Sequence, residues 1–313
     1  MWTSVTLSAN IFRDALWIMR RRPSVALTWP PSVFCETMNS SMIMPLTVIR
    51  NRLRRSPLRR IVMSYRHRGI GDADVLLASY PRSGNTWLKS LIASCLLGEP
   101  LQNLSDTVNP VIPMVGYHRG TRPLLKNSGR VIKTHEGYRP EYKRAIWVVR
   151  DPRDVVMSEY KLEVRSNRCF GTFDEFLQDF IHQRVGGRAT WQRHTQSWLD
   201  SDLHHCGNIL FIAFEKLRAE PGEQLQRVLE FLDAPYDQSS IAKALEQNSI
   251  QMLAERHAAY DRTLGRTIRA EIPAVNRGLS GGWRDQLPPA AVQSIEQQFG
   301  DVMERVGYRR SKT

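Results

Sequence analysis

The stretch from Asp74 to Gly98, DVLLASYPRSGNTWLKSLIASCLLG, contains a complete strand, turn and helix pattern. The short apolar run up to Tyr80 predicts a strand that is buried on both faces. The next six residues, PRSGNT, have the composition of a turn. After them, apolar residues recur at helical spacing: Trp87, Leu88, Leu91, Ile92, Cys95 and Leu96. Gly98 follows them, which predicts that the helix ends there.

Strand and helix patterns continue to alternate along the rest of the chain. Short apolar runs predict three more strands, at residues 130–133, 145–150 and 208–214. Asp151-Pro152 predicts a helix start, because aspartate is a good N-cap and proline fits the first helical position. Pro288-Pro289 predicts the start of a last helix, and the Gly- and Arg-rich residues 260–282 indicate a loop. The alternation predicts an α/β fold, a single domain with a mostly parallel central sheet flanked by helices, like P-loop nucleotide-binding proteins.

The turn between the first strand and its helix is a candidate anion site. The first amides of a helix carry partial positive charge and have no partner within it, so a preceding turn can present them to a phosphate. Gly84 allows the backbone to approach closely, Thr86 adds a hydroxyl, and Arg82 adds a planar cation suited to phosphate or sulfate oxygens. In the nucleotide-loop pattern GxxxxGK[ST], Ser79 stands for the first glycine and Asn85 for the lysine. The missing lysine counts against an ATP or GTP hydrolase, but a P-loop kinase or nucleotide hydrolase stays the alternative.

The positive charge of the chain is concentrated near its N-terminus. The formal net charge is +13, from 44 basic and 31 acidic residues. Residues 1–70 contain 12 of the basic residues, all arginine, but only two of the acidic ones, so the remainder is nearly balanced. We therefore expect a loosely ordered basic arm at residues 1–70 and a domain at residues 71–313.

Two kinds of partner are considered for the basic arm. Its charge suits anionic lipid or nucleic acid, and its Arg-rich, acid-poor composition also fits a targeting segment. We expect no nucleic-acid partner, because the rest of the chain is nearly neutral. Peripheral membrane contact through the arm stays open, and a basic binding module is the non-enzymatic alternative for the whole protein.

Composition argues against several other classes of protein. Hydrophobic residues make up 42% and charged residues 24%, so disorder throughout is excluded. No run of eighteen apolar residues occurs, so no transmembrane helix is predicted. The four cysteines are too few and too scattered for a disulfide scaffold or a zinc site: Cys35, Cys95, Cys169 and Cys206. We expect a reducing, cytoplasmic setting and no bound metal.

Four motifs follow one another along the chain: YPRSGNTW at 80–87, IKTH at 132–135, VRDPRDVVMS at 149–158 and RGLSGGW at 277–283. Together they make residues 72 to about 309 resemble the cytosolic-type sulfotransferases, which use 3′-phosphoadenosine 5′-phosphosulfate (PAPS). The first motif is similar to the family's 5′-phosphosulfate loop and the third to its 3′-phosphate segment. The second matches the Lys-Thr-His that carries the catalytic base, and the fourth resembles the C-terminal segment.

The resemblance implies transfer of a sulfuryl group from PAPS to an acceptor hydroxyl or amine, by in-line displacement and without a metal. It implies that His135 removes the acceptor proton, Arg82 stabilises charge on the departing phosphate, and Lys133 neutralises the sulfuryl oxygens. The implied PAPS contacts are Arg82, Ser83, Gly84, Asn85, Thr86 and Trp87 in the loop, Arg150 and Ser158 at the 3′-phosphate, Phe214 at the base, and Arg277 and Gly278 in a closing loop.

The sequence departs from the family pattern at several of these positions. Arg82 stands for a lysine and keeps the charge, but it cannot donate a proton at neutral pH. Phe214 stands for a tyrosine and Asn276 for an arginine, so two polar contacts to PAPS are lost. The acceptor pocket would be built from variable stretches at residues 101–125, 163–190 and 248–275. The acceptor is therefore expected to be a small molecule or a glycolipid of undetermined identity, and the oligomeric state is open.

Overall fold

The structure is a computed structural model that describes residues 58–101, 111–166, 171–182, 189–263 and 280–311. All of these residues lie in one compact unit that spans Asn51–Thr313.

A parallel sheet forms the centre of this unit. Its strands, in the order β2-β1-β3-β4, are β1 (Val75–Ser79), β2 (Val131–Thr134), β3 (Arg144–Val149) and β4 (Ile209–Ala213). Neighbouring strands pair in parallel, with Val75 opposite both Val131 and Arg144. The predicted α/β class with a parallel sheet is confirmed. The predicted strand 208–214 is one residue too long at each end, because Phe214 already belongs to the next helix.

Helices cover both faces of the sheet. Their bounds are α1 (Leu58–His67), α2 (Asn85–Leu97), α3 (Pro152–Arg165), α4 (Phe173–Ile181), α5 (Trp191–Leu199), α6 (Asp202–His205), α7 (Phe214–Ala219), α8 (Pro221–Phe231), α9 (Gln238–Gln247), α10 (Ile250–Thr263), α11 (Trp283–Gln286) and α12 (Pro289–Arg305).

The sheet separates two apolar layers. Because side chains alternate along a strand, Val75 and Leu77 face one layer while Leu76 and Ala78 face the other. Helices α2, α8 and α9 complete the first layer, and α3, α4, α5 and α12 complete the second. All five residues of β1 are consequently buried, as its apolar run predicts.

The helix ends follow the signals in the sequence. Asp151 caps α3 by accepting a hydrogen bond from the amide of Arg153, and Pro152 occupies the first helical position. Gly98, with φ of 74°, ends α2. The predicted loop at residues 260–282 starts too early, because α10 is rich in helix-favouring residues before residue 260 and continues to Thr263.

Helix α1 lies within the stretch predicted to be a loose arm, yet it packs against the domain. Met63 and His67 are buried. His67 Nε2 lies 2.8 Å from the hydroxyl of Tyr142, and Arg66 donates to the carbonyl of Val115 at 2.8 Å. The packed part of the chain therefore begins before residue 71. Residues 1–57 lie outside the described residues, so a loose arm there stays a prediction.

The helices in the described ranges differ from membrane-spanning helices. None of them combines the length and the apolar composition that a bilayer crossing requires.

Candidate active site

Three of the sequence motifs meet where the parallel strands end. Ser79 is the last residue of β1, His135 directly follows β2, and Arg150 directly follows β3. Because β1 pairs with both β2 and β3, these positions lie along one edge of the sheet. Open α/β sheets bind their ligands at this carboxyl edge.

Residues 80–87, here called the anion-binding turn, have an unusual backbone. Arg82 has φ of 67° and Gly84 φ of 87°, both in the left-handed region that residues with a Cβ rarely adopt. Gly84 is required for a second reason, because a Cβ there would lie 2.6 Å from Cε2 of Phe214. No side chain caps α2 at Gly84, so the amides at the start of this helix are oriented for an external acceptor.

The two polar residues beside Gly84 differ in what they contact. The Ser83 hydroxyl is buried and has no hydrogen-bond partner. The Asn85 amide nitrogen donates to the carbonyl of Leu77 at 3.2 Å and to the Ser79 hydroxyl at 2.9 Å. The Asn85 side-chain nitrogen therefore ties α2 to β1, and the expected contact of Asn85 with PAPS stays a prediction. Ser83 is the better-placed donor.

Arginine side chains join the turn to the end of β3. Arg82 Nε donates to the Ser158 hydroxyl at 3.0 Å, and Arg150 Nη1 donates to the Arg82 carbonyl at 3.0 Å. Two places expected at opposite ends of one nucleotide are thus in direct contact. Burial lowers the pKa of both guanidinium groups, against the opposing charges of Glu159 beside Arg82 and Asp154 beside Arg150. A bound anion would offset this cost of burial.

Phe214 and Trp87 are packed as core residues. The Arg150 guanidinium lies 4.5 Å from the centroid of the Phe214 ring, which also fills the space beside Gly84. Trp87 is 8% exposed, and its indole nitrogen donates to the Asn248 carbonyl at 3.0 Å. Both side chains support the turn from behind, and their expected contact with a nucleotide base stays a prediction.

His135 is oriented by the end of the neighbouring strand. Its Nδ1 lies 2.9 Å from the carbonyl oxygen of Ser79 and 3.4 Å from the Ser79 hydroxyl. A carbonyl only accepts hydrogen bonds, so Nδ1 carries the proton and the basic lone pair is on Nε2. The half-buried ring is therefore held in the tautomer that a general base needs.

Lys133 lies on β2, two residues before His135. Alternation along an extended strand gives these two positions the same side of the sheet. The Lys133 side chain is 1% exposed, and its backbone pairs with β1 on one side and with residues Pro113–Val115 on the other. A lysine buried this deeply is a structural part of the site as well as a candidate cation.

The C-terminal motif is attached to the same helix as Ser158. The Asp154 carboxylate accepts hydrogen bonds from the amides of Gly281 and Trp283, at 2.7 and 2.9 Å. Asp154 and Ser158 are four residues apart and share a face of α3. Asp154 therefore brings the end of the RGLSGGW motif to this face. Arg277 and Gly278 lie outside the described residues, and their role stays a prediction.

A second buried arginine on α3 has a different environment. Arg153 pairs with Asp151 at 2.6 Å and with Glu296 of α12 at 2.6 Å, and the ring of Trp283 covers it at 3.9 Å. Burial works against its charge, but the hydrogen bonds and charges of the two carboxylates outweigh this and raise its pKa. We call Asp151, Arg153 and Glu296 the arginine clamp. It connects α3 to α12.

Two residues of this site had no assigned role in the sequence analysis. Ser79 was noted only as a replacement for a loop glycine, yet it holds His135. Its position as the last residue of a strand beside the Lys-Thr-His strand is a usable signal. Asp154 was placed only within the helix, although its spacing from Ser158 indicates a shared face. In the described part of the chain, no three His, Cys, Asp or Glu side chains are grouped as metal ligands.

The fold and this edge together define a phosphate-binding α/β protein, with amides at a helix start and two arginines converging on them. The family can be stated as well. A family model for the sulfotransferase domain matches residues 72–307, most of the chain. The chain therefore belongs to the sulfotransferase domain family, which confirms the resemblance and the enzyme class expected from the motifs.

Relatives and solved structures agree with this membership. Sulfotransferase 1B1 of Mus musculus is 24% identical over 249 residues, which cover 74% of this chain and 82% of that protein. Cytosolic sulfotransferase 7 of Arabidopsis thaliana is 25% identical over 257 residues, covering 72% and 77%. Retinol dehydratase in complex with retinol and PAP matches with a TM-score of 0.58 at 18% identity, covering 77% of this chain and 84% of that one. Mouse sulfotransferase SULT7A1 complexed with PAP gives 0.55 at 21% identity, covering 74% and 84%.

Proposed function

We propose that this enzyme transfers the sulfuryl group of PAPS to an acceptor hydroxyl or amine, with His135 as the general base. The observation that carries the proposal is the contact of Arg82 with Ser158 and of Arg150 with the Arg82 backbone. Through these contacts the YPRSGNTW motif, which leads into the helix-start amides, touches Arg150 and Ser158 of the VRDPRDVVMS motif. A nucleotide with phosphate groups at both its 5′ and its 3′ positions would engage both motifs.

Two observations support the fit of PAPS to this edge. The buried Ser83 hydroxyl has no hydrogen-bond partner among the described residues, which is unusual unless a ligand or water satisfies it. Arg82 and Arg150 are both held where burial disfavours their charge, and an anion would reverse that effect. The family's solved relatives point the same way, since two were determined with PAP.

The chain's own residues would divide the work as follows. The amides at the start of α2, with Arg82 and Ser83, would hold the 5′ group and stabilise the charge that develops there. Arg150 and Ser158 would hold the 3′-phosphate through charge-assisted hydrogen bonds. PAPS itself supplies the sulfuryl group, and no metal is needed for that chemistry.

His135 would activate the acceptor. The Ser79 carbonyl keeps the proton on Nδ1, so Nε2 is the atom that accepts the proton of the hydroxyl or amine. Lys133, nearby on the same strand, would add positive charge next to the sulfuryl oxygens.

The acceptor that we propose is a small molecule or a glycolipid bearing a hydroxyl. Retinol dehydratase was solved with retinol and also with androsterone, both in the presence of PAP. Those compounds are acceptor-sized alcohols, and they support this class of ligand without selecting one member. The site of action that we propose is the cytoplasm, in keeping with the few, scattered cysteines.

A sulfate-transfer assay tests the function directly. Labelled PAPS is offered with a panel of phenols, alcohols, sugars and glycolipids, and labelled product is measured. We expect transfer to at least one class, and His135→Ala should lower turnover by about 100-fold or more while PAP still binds. His204→Ala, an exposed histidine on α6, is the control and should behave as wild type. Near-normal turnover of His135→Ala would remove this residue from the role.

A further inference from the structure

One face of α1 is apolar and exposed although the helix is packed against the domain on its other side. Ile61, Val62 and Tyr65, here called the α1 face, are 58%, 41% and 50% exposed. Their spacing of one and four residues puts them on one side of the helix, opposite the buried Met63 and His67. The α1 face is therefore not the core-facing stripe of this helix.

Exposed apolar side chains are concentrated at this place. Among the described residues, six large hydrophobic side chains are exposed, and three of these form the α1 face. A fourth, Tyr117, is 49% exposed and belongs to the loop that accepts the Arg66 hydrogen bond. Contiguous exposed apolar groups of this kind indicate a surface that contacts something else.

The surroundings of the α1 face are positively charged. Arg119 stacks on Tyr65, with its guanidinium carbon 4.4 Å from the ring centroid, and the guanidinium carbon of Arg68 lies 5.7 Å from the same centroid. Residues 61–71 and 111–122, the two segments that meet here, contain four arginines and no acidic residue. The charge of the surface therefore selects an anionic partner.

We propose that the α1 face is a docking surface for anionic phospholipid membranes. Exposed aliphatic side chains next to arginines match the two parts of a lipid surface, its acyl boundary and its anionic headgroups. A nucleic acid could contact the arginines and Tyr65, but it has no apolar layer into which Ile61 and Val62 could insert. None of Ile61, Val62, Tyr65, Arg68 and Arg119 is assigned to PAPS or to proton transfer, so the proposed membrane attachment does not depend on the proposed reaction.

Vesicle co-sedimentation of the full-length protein tests the proposal. Vesicles of phosphatidylcholine are compared with vesicles that also contain phosphatidylserine. We expect wild type to bind the second kind and to bind the first at least about tenfold more weakly. The double variant Ile61→Ser/Val62→Ser should lower binding to the anionic vesicles about tenfold. Arg68→Gln/Arg119→Gln should lower it by a similar factor.

Two control variants test whether exposed apolar or charged residues elsewhere on the protein contribute equally to vesicle binding. Leu97 and Met252, 39% and 41% exposed elsewhere, are changed to serine together, and the exposed pair Arg227 and Lys243 is changed to glutamine. Both controls should bind as wild type, and all variants should keep the wild-type melting temperature.

Three results would overturn the proposal. The first is equal binding of wild type to neutral and anionic vesicles, or to neither. The second is wild-type binding by Ile61→Ser/Val62→Ser, which would assign the attachment to other residues, including residues 1–57. The third is displacement from vesicles by single-stranded DNA whose own binding is unaffected by Ile61→Ser/Val62→Ser, which would assign the arginines to nucleic acid.

Discussion

Buried arginines occur in two different electrostatic environments, one arginine in the arginine clamp and two at the carboxyl edge of the sheet. In the arginine clamp, Arg153 is paired with two carboxylates at 2.6 Å, and its pKa is raised. At the carboxyl edge, the hydrogen bonds of Arg82 and Arg150 described above go to a hydroxyl and a carbonyl. There, burial lowers the pKa of both groups.

The difference supports the proposal that Arg153 has a structural role whereas Arg82 and Arg150 hold a ligand. A buried cation costs free energy unless an anion compensates it. The clamp contains its compensation, and it connects two helices. The carboxyl edge compensates its arginines less well, and it does so next to helix-start amides that also favour an anion. An anionic ligand that pairs with Arg82 and Arg150 would offset the cost of burying their charge, and it would therefore bind tightly at the carboxyl edge.

Removing one arginine from each group is the strongest test of this distinction. Arg150→Ala should weaken PAP binding about 100-fold, because charge-assisted hydrogen bonds to a phosphate are lost, while binding of 5′-AMP changes little. Arg153→Ala should instead lower the free energy of unfolding by about 3 kcal/mol or more, since two buried carboxylates lose their partner. Calorimetry and urea unfolding measure the two effects. The comparison fails if both variants lose affinity and stability in the same proportion.

Glycine substitutions test whether the turn is shaped for the same ligand. Gly84→Ala adds a Cβ that collides with Phe214 at a left-handed position, and it should weaken PAP binding about 30-fold through displacement of the turn. Gly98→Ala is the matched control at the other end of α2, with φ of 74° and open space around its Cβ. It should cost about 1 kcal/mol of stability and leave PAP affinity unchanged. Equal affinities of the two variants would show that the shape of the turn is irrelevant to binding.

A buried histidine allows a smaller test of how burial acts on a group that can carry charge. His194 of α5 is 2% exposed, and burial lowers its pKa to about 3, so it is neutral in the folded protein. An unfolded histidine has a pKa of about 6.5. Below that pH the unfolded chain binds an extra proton, so the free energy of unfolding falls. Wild type should lose about 1.4 kcal/mol at pH 5.5 from this residue.

Urea unfolding at pH 7.5 and pH 5.5 measures that loss. His194→Gln should remove this part of the pH dependence, and His182→Gln, which changes an exposed histidine, should retain it. An unchanged pH dependence in His194→Gln would mean that His194 is not held neutral by burial.

Local patterns in the sequence predicted the parts of the fold that depend on neighbouring residues. The apolar run before Tyr80 and the Asp151-Pro152 start of α3 are both as expected. The contact of Arg82 with Ser158 joins residues 76 positions apart and depends on β1 and β3 being adjacent in the sheet. No local pattern encodes that adjacency, so the direct contact of the two residues could not be predicted from the sequence.

Two further features of the structure were not predicted from the sequence. The expected contact of Asn85 with a phosphate stays a prediction, but the hydrogen bonds of its side-chain nitrogen to the Leu77 carbonyl and the Ser79 hydroxyl were not predicted. Helix α1 was assigned to a loose arm because of its arginines, whereas Met63 and His67 supply enough burial to pack it. His67 contacts Tyr142, 75 positions away, so no pattern within α1 predicts this packing.

The central claim is that one edge of the sheet binds both phosphate positions of a single adenosine nucleotide. Titration calorimetry of the wild-type protein with PAP, 2′,5′-ADP and 5′-AMP, without magnesium, tests it most directly. The account predicts that PAP binds about 100-fold or more tightly than 5′-AMP and clearly more tightly than the 2′-phosphate isomer. Equal affinity for the three nucleotides would contradict it.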